Sequence, residues 1–297
     1  MRVALANYPI TFHSSADEWR KHVTHWIEQA TKDKAELLVF PEYGSMEVIS
    51  FAPTEIQQDI RAQIRWMTDF LPFFKEVFQQ LAVRFHITIV CPSIPIWDDG
   101  KPLNRVFVFG PTGKESFQDK AWMTRFENEI WGVTSGVPIL RVFEIPMGKF
   151  GIQICYDTEF PVASAQLARA GAQLIVAPSC TEAHRGATRV HVGARARALE
   201  NQIYMAVSQT IKDAPWSEAV DINFGYTAFY ATPDKGFPET GIIAQSEEQI
   251  PGWLVQSLDF SLLENVRKDG QVLNFEDTNQ WLSHVSSSSF VETVRLY

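Results

Sequence analysis

The chain has 297 residues, of which 45% are hydrophobic and 21% are charged, and these proportions exclude wholesale disorder. The net charge of −9 leaves no basic domain, so a surface that binds nucleic acid by neutralising phosphates is not expected. The apolar runs are too short for a membrane span and the N-terminus lacks signal-peptide features, so we expect a cytoplasmic protein without a membrane partner.

The first half of the chain alternates strand patterns with helical patterns. Loosely alternating β-formers predict the first strand, and apolar residues at helical spacing predict the helix that follows. The second, longer helical pattern contains Pro72, where we expect a break or a kink. The predicted strands cover residues 3–8, 36–40, 87–90 and 105–109, and the helical stretches cover residues 17–32 and 56–85.

The second half places several strands next to one another, which predicts a mixed α/β architecture rather than strict alternation. One helix has a proline at its start, and Pro178 is expected to end the strand after it. A run of serines at 286–289 is typical of a polar surface tail. The predicted strands cover 140–145, 150–155, 174–177, 203–209, 225–230, 242–244 and 254–258, and the helices cover 161–170 and 187–201.

The three cysteines, Cys91, Cys155 and Cys180, are too few and too widely spaced for a disulfide framework, so we expect free thiols in a reducing compartment. The sequence contains no CxxC, HExxH, GxxxxGK[ST], GxGxxG or GxSxG motif, so zinc hydrolysis, phosphate cradling and dinucleotide binding are not expected. A cysteine–histidine dyad of Cys180 with His184 or His191 is a weaker alternative, because the scattered histidines show no paired spacing.

Two charged residues occupy positions that suit catalysis. Glu42 directly follows an apolar strand, where open α/β sheets form their ligand crevice, and desolvation there would raise its pKa toward that of a general base. The alternative for Glu42 is a helix-capping or surface acid. Lys120 is followed by bulky apolar residues and could stabilise a tetrahedral oxyanion, or it could be a surface lysine with its stem on apolar surface.

Cys155 lies where a predicted strand runs into a tight turn, with a helix beginning near Pro161. The positive end of that helix would favour a thiolate, which is the nucleophilic form of cysteine. The alternative is a small buried hydrophobe, a role that suits Cys91 better because Cys91 lies at a strand end before a proline.

Taken together, these segments resemble the nitrilase superfamily of carbon–nitrogen hydrolases. The matching strings are LLVFPEYG (37–44), DKAWMTRFENEIWG (119–132), GIQICYDTEFP (151–161) and RARALENQIY (195–204), in the order found in that family. The resemblance implies a four-layer αββα sandwich. It also implies a single domain over residues 1–297, with 260–297 as a C-terminal extension.

The resemblance also implies a role for each matching residue. Glu42 would be the general base, Cys155 the nucleophile, and Lys120 would stabilise the tetrahedral intermediate together with the backbone N–H of Tyr156. Glu127 would be a supporting acid. Further pocket candidates are named by position: Tyr43, Trp131, Tyr156, Cys180 and Thr181.

One assignment within this set stays open. Glu129 is a rival of Glu127 for the supporting role, although the spacing to Trp131 favours Glu127. The segment 223–228 departs from the string usual in the family, so the far side of the pocket is expected to differ.

The activity implied is hydrolysis of a non-peptide carbon–nitrogen bond through a thioester, with no metal or cofactor. The string Cys155-Tyr156-Asp157 favours an amidase acting on a small linear amide or carbamoyl compound. A true nitrilase and a catalytically silent scaffold are the alternatives. Family members commonly assemble, so the resemblance also implies a homodimer or a larger homo-oligomer.

Overall fold

A computed structural model describes residues 1–136 and 139–284 of the chain. Within these residues, thirteen strands form one hydrogen-bonded network. The strands are β1 (Arg2–Pro9), β2 (Leu37–Val39), β3 (Thr88–Val90), β4 (Ile94–Asp98), β5 (Lys101–Phe109), β6 (Glu115–Asp119), β7 (Val142–Ile145), β8 (Gly148–Ile152), β9 (Leu174–Cys180), β10 (Tyr204–Ile211), β11 (Ala228–Tyr230), β12 (Ile242–Gln245) and β13 (Gly252–Ser257). The helices are α1 (Ala16–Lys32), α2 (Thr54–Gln57), α3 (Ile60–Phe85), α4 (Pro161–Arg169), α5 (His184–Asn201), α6 (Phe260–Asp269) and α7 (Asn274–His284).

Strand β1 joins the two halves of this curled sheet. Its first residues pair in parallel with β2, and its last residues pair in parallel with β10. From β1 the order runs through β2, β3, β5 and β4 on one side and through β10, β9, β8 and β7 on the other. The curl therefore brings two sheet halves face to face.

The alternating residues of β1 define the layers. Ala4, Ala6 and Tyr8 belong to the apolar cluster that the sheet forms with α1 and α3. Val3 and Leu5 point to the other side, into the cluster formed with β8, β9, β10 and helices α4 and α5. Helices thus cover the outer faces of two stacked sheet halves, and the predicted αββα fold class is confirmed.

The prediction that Pro178 ends a strand is wrong, and the break expected as one alternative at Pro72 is absent. Helix α3 continues through Pro72, where the other alternative, a kink, stays a prediction. The helix begins at Ile60, where the Asp59 side chain caps the N-terminus. Strand β9 continues through Pro178, which pairs with β10. The pairing between β9 and its other neighbour, β8, ends at Val176. Pro178 lies beyond that point, so its missing N–H removes no hydrogen bond between β9 and β8.

The C-terminal part contributes α6 and α7, and α7 packs against α5. The serine run at 286–289 lies outside the described residues. None of the helices in the described ranges is both long and apolar enough to cross a membrane.

Candidate active site

The three predicted catalytic residues line one cavity of about 550 Å³. Glu42 follows β2, Lys120 follows β6 directly, and Cys155 begins a tight helical turn over Cys155–Glu159 after β8. Glu42 and Lys120 are each only 1% exposed, and Cys155 is 5% exposed. Strand ends therefore bring all three side chains into a buried pocket, as the sequence interpretation required.

Lys120 is the centre of the charged cluster. Its Nζ donates to Glu42 Oε1 at 2.8 Å and to both oxygens of Glu127, at 2.8 and 2.7 Å. Burial alone would lower the pKa of Lys120, but Glu127 and Glu42 outweigh burial and raise it well above its usual range. Lys120 is therefore a permanent ammonium at the cavity wall.

The two carboxylates around Lys120 have different environments. Glu127 also accepts hydrogen bonds from the Tyr43 hydroxyl at 2.7 Å and from the Thr124 backbone N–H at 2.9 Å. Burial opposes ionisation of Glu127, but Lys120 and these donors win and lower its pKa. Burial dominates at Glu42, and the negative charge of Glu127 adds to it, so the pKa of Glu42 is raised although Lys120 opposes the shift.

Glu42 accepts two further hydrogen bonds that hold its orientation. The side-chain amide of Asn104 donates to Oε1 at 2.9 Å, and the backbone N–H of Cys180 donates to Oε2 at 3.0 Å. The carbonyl of the same Cys180 accepts from the Cys155 thiol at 3.5 Å. One residue of β9 therefore contacts both the proposed base and the proposed nucleophile.

Cys155 occupies an unusual backbone conformation. Its φ of 48° lies in the left-handed region, which non-glycine residues rarely adopt and which is common at functional turns. The expectation of a thiolate stabilised by the following helix is wrong. The helix does begin at Pro161, as predicted, but burial and the Glu42 charge raise the pKa of the thiol well above its usual range, although Lys120 opposes this. A neutral thiol of this kind needs a base.

The register of β5 and β6 positions Lys120. The backbone N–H of Lys120 donates to the Asn104 carbonyl at 2.9 Å, which continues the antiparallel ladder beyond β6. One position along, Arg105 and Asp119 form a buried ion pair with N–O distances of 2.5 and 3.0 Å. Because side chains alternate along a strand, this pair lies on the opposite face from Asn104 and Lys120 and fixes the register that aligns them.

Asp157 ties the lysine loop to the nucleophile turn. Its carboxylate accepts from the backbone N–H groups of Ala121, Trp122 and Ile154 at 3.2, 2.9 and 3.0 Å. Burial raises the pKa of Asp157 to about 7, against the opposing effects of Lys120 and these donors. In the sequence, Asp157 served only to favour an amidase over a nitrilase, and its positioning role was not predicted.

The five pocket candidates all line the same cavity, which they share with Asn223. The rings of Tyr43 and Trp131 lie 4.9 Å apart, and the Trp131 indole donates to a backbone carbonyl of α3 at 2.7 Å. These two aromatics are almost fully buried and orient Glu127 and the turn around it. Thr181 donates to the Phe224 carbonyl at 2.7 Å, so the divergent segment 223–228 forms part of the wall.

Glu129 has a separate environment. It forms an exposed pair with Arg125 at 2.8 Å, away from Lys120. Of the two rival acids, the structure therefore brings Glu127 to Lys120.

The alternative cysteine–histidine dyad is not assembled. His191 donates to or accepts from Tyr230 Oη and stacks on Tyr226 at 3.9 Å, and His184 lies on the surface near Phe224. The Cys180 thiol instead contacts the Asn223 side-chain oxygen at 3.0 Å.

The outer part of the cavity carries charges of both signs. Glu159 and Arg189 form an ion pair at 3.1 Å. Arg185, at the start of α5, lines the same region. The acidic residues Glu182, Glu218 and Asp221 line the rest of this opening.

Comparisons with known proteins identify the family of the chain. The profile of the carbon–nitrogen hydrolase family matches residues 2–268. A probable hydrolase of Bacillus subtilis is 29% identical over 285 residues, covering 96% of this chain and 55% of that protein, so the chain spans about half the length of this relative. Omega-amidase NIT2-B of Xenopus laevis is 29% identical over 199 residues, covering 59% of this chain and 70% of that protein.

Solved structures share the fold. A carbon–nitrogen hydrolase from Helicobacter pylori superposes with a TM-score of 0.74 at 18% identity, covering 94% of this chain and 97% of the other. An amidase from Nesterenkonia sp. AN1 superposes with a TM-score of 0.73 at 18% identity, covering 95% of each chain. The family profile spans nearly all of the described chain, and the chain belongs to the carbon–nitrogen hydrolase family, within the nitrilase superfamily that its motifs resemble.

Proposed function

We propose that the protein is a cysteine-dependent amidase that releases ammonia from a small linear amide or carbamoyl compound through a thioester. The observation that carries this proposal is the convergence of Glu42, Lys120 and Cys155 on one buried cavity, where the Lys120 ammonium lies between the Glu42 and Glu127 carboxylates. The pKa values of the two carboxylates are displaced in opposite directions, in keeping with this geometry. Pairs of acids whose environments separate their pKa values are typical of acid–base catalysis. The omega-amidase relatives and the amidase fold neighbours support the amide as substrate.

In the proposed first step, Glu42 accepts the proton of Cys155 while the sulfur attacks the amide carbonyl carbon. The carbonyl oxygen becomes an oxyanion next to the Lys120 ammonium and the backbone N–H of Tyr156. Glu42 then gives its proton to the departing nitrogen, the carbon–nitrogen bond breaks, and ammonia leaves behind a thioester on Cys155. Glu42 next takes a proton from water, and the hydroxide attacks the thioester carbon. The carbon–sulfur bond then breaks, Glu42 returns its proton to the Cys155 sulfur, and the acid product leaves with the thiol and the base restored.

Glu127 has a different part in this proposal. Its lowered pKa keeps it ionised, so it holds Lys120 in place as a positioning residue and does not exchange protons with substrate. A glutamate-to-glutamine mutant of the Nesterenkonia amidase carries a covalent acetamide moiety from fluoroacetamide on its active-site cysteine. This likeness supports the assignment of Cys155 as nucleophile.

The test is an ammonia-release screen over small amides, N-carbamoyl compounds and nitriles. We expect amide or carbamoyl turnover by the wild type and none by Cys155→Ala, with Cys91→Ala as the matched control because Cys91 is a buried core thiol. Nitrile turnover without amide turnover would favour the nitrilase alternative. Equal background rates for the wild type and Cys155→Ala across the panel would favour the silent scaffold.

We also propose that residues 1–297 form one catalytic domain, with 260–297 as its C-terminal extension, and that the protein assembles as a homodimer or larger oligomer. The first proposal is supported by the convergence of side chains from distant segments on one cavity, and the second by the family resemblance. Light scattering after size-exclusion chromatography measures the oligomeric state.

A further inference from the structure

A second cluster of ligand-type side chains lies outside the cavity. It is formed by His13 in the loop after β1, His22 in α1, and Glu47 in the helical turn Gly44–Phe51. The His13 Nε2 atom lies 3.6 Å from Glu47 Oε2, and the His22 Nε2 atom lies 3.7 Å from Glu47 Oε1. All three donor groups lie within 4.8 Å of one another.

Both imidazoles of this cluster carry a buried nitrogen without a partner. Within residues 1–136 and 139–284, neither His13 Nε2 nor His22 Nε2 has a hydrogen-bond partner, although both atoms are inaccessible to solvent. His13 is 5% exposed as a residue and Glu47 is fully buried. A buried polar atom without a hydrogen bond is costly, and a bound ion or a bound water can satisfy it.

The surroundings hold the cluster in shape. The Tyr8 hydroxyl donates to Glu47 Oε2 at 2.8 Å, and the Thr11 backbone N–H donates to Glu47 Oε1 at 2.8 Å. The backbone N–H of His13 donates to Ser50 Oγ at 2.9 Å. Each carboxylate oxygen keeps a further lone pair for a ligand, and such outer hydrogen bonds are typical of groups that orient metal ligands.

We propose that His13, His22 and Glu47 bind one divalent transition-metal ion, with zinc as the best match. Two imidazole nitrogens and one carboxylate form a donor set that zinc accepts, with a water molecule in the fourth position. Ligands of tetrahedral zinc lie about 3.3 Å from one another, as bond lengths of about 2.0–2.1 Å require. The nitrogen–oxygen separations of 3.6 and 3.7 Å need only a small contraction to reach that value. All three ligand atoms lie within 4.8 Å of one another, so the two imidazole rings also have to move closer together when the ion binds.

The position of the cluster indicates what the ion does. The turn that carries Glu47 begins immediately after Tyr43, one residue beyond Glu42. A metal that joins this turn to α1 and the β1 loop stabilises the segment that holds the proposed base. The role is structural and is independent of the proposed function, and it departs from the expectation that the protein has no metal.

The experiment titrates chelator-stripped protein with Zn²⁺ by calorimetry and with Co²⁺ by visible absorption. We expect one ion per chain, nitrogen–oxygen cobalt bands, and a rise in Tm of about 5 °C at zinc concentrations about 100-fold above Kd. His13→Asn and His22→Gln are expected to weaken binding by at least about tenfold. His25→Gln is the matched control, because His25 is an exposed histidine on the same helix that contacts Gln29.

Several outcomes overturn the proposal. Equal zinc affinity in the wild type and His22→Gln would mean that His22 is not a ligand and that His13 and Glu47 form only an ion pair. The His22 side chain is 22% exposed, so His22→Gln is expected to fold and to stay informative even if His13→Asn does not fold. Sulfur-to-cobalt charge transfer that disappears in Cys155→Ala assigns the metal to the cavity thiols instead. The Cys155→Ala variant, which abolishes the proposed amidase activity, is expected to bind zinc normally, so the two proposals fail separately.

Discussion

Glu42 and Glu127 bind the same ammonium group, yet their pKa values are displaced in opposite directions. Both carboxylates lie within 2.8 Å of Lys120 Nζ, but Glu127 uses both of its oxygens and Glu42 uses one. Tyr43 and Thr124 donate further hydrogen bonds to Glu127. The pair therefore divides into a permanent counter-ion and an acid that can exchange a proton.

This asymmetry predicts the effect of Glu127→Gln. The Glu127 charge raises the pKa of Glu42, so its loss lowers that pKa, and the Lys120 charge, no longer shared with Glu127, lowers the pKa of Glu42 further. The acid limb of the kcat/KM profile therefore moves to lower pH. The plateau value falls by roughly ten- to hundredfold, because a charged hydrogen-bond partner worth about 1.5–3 kcal/mol is lost. Glu129→Gln is the control, because the exposed Glu129–Arg125 pair has no contact with Lys120, and an equal effect in both variants would contradict the assignment.

Asn104→Ala is expected to move the same limb in the other direction. The amide of Asn104 donates to Glu42 Oε1 at 2.9 Å, and a donor to a carboxylate favours its charged form. Its removal raises the pKa of Glu42, so the acid limb moves to higher pH. The measurement is the pH dependence of kcat/KM, with exposed Asn128→Ala as the control. A shift to lower pH would show that Asn104 does not stabilise the ionised Glu42.

Glu42→Gln separates turnover from simple alkylation of Cys155. Amide hydrolysis needs proton transfers to and from Glu42, so kcat/KM falls by about 10²–10⁴-fold. Alkylation by iodoacetamide needs only a thiolate, and loss of the Glu42 charge removes a cause that raises the thiol pKa. The alkylation rate, followed by mass spectrometry with Cys155→Ala as the blank, therefore changes much less than turnover. A parallel loss of both rates would indicate that Glu42 only holds the site together.

Glu42 and Cys155 were predictable because each lies at the end of a predicted strand, where a polar residue after a buried apolar run is visible in the sequence. Lys120 was identified by the bulky apolar residues that follow it and by the family resemblance, because the strand before it, β6, was not predicted. The residues that position them are less visible. Asn104 looks like an interruption of a strand, and Cys180 acts through its backbone N–H and carbonyl, which carry no sequence signal.

The errors have physical causes that depend on three-dimensional neighbours. The thiolate expectation considered the helix after Cys155 but not the burial of the thiol or the nearby Glu42 charge. Pro178 was expected to end β9, but the adjacent strand β8 ends before it, and this depends on strand lengths that local patterns do not give. The αββα layers were predictable through the resemblance, whereas the register of the β5–β6 hairpin was not, because no strand was predicted for Glu115–Asp119.

Because His191 is buried, we expect the folded protein to lose stability in acid. It is buried between Tyr226, stacked at 3.9 Å, and Tyr230 Oη at 2.8 Å, and burial lowers its pKa to about 4. In the unfolded chain this histidine binds a proton near pH 6.5. The contribution of the buried neutral ring to the free energy of unfolding is therefore fully present above about pH 6.5 and is lost as the pH falls toward about 4. The shift corresponds to at most about 3 kcal/mol of unfolding free energy. Urea unfolding across this pH range measures it.

The matched comparison for His191 uses two glutamine variants. His191→Gln is expected to be less stable than the wild type near neutral pH, because the stacking and the hydrogen bond to Tyr230 are lost, and the difference should narrow as the pH falls toward about 4. His184→Gln changes an exposed histidine of the same helix and should keep the wild-type pH dependence. A difference between the wild type and His191→Gln that stays constant with pH would mean that the ring binds protons equally in the folded and unfolded chains, so that burial does not lower its pKa.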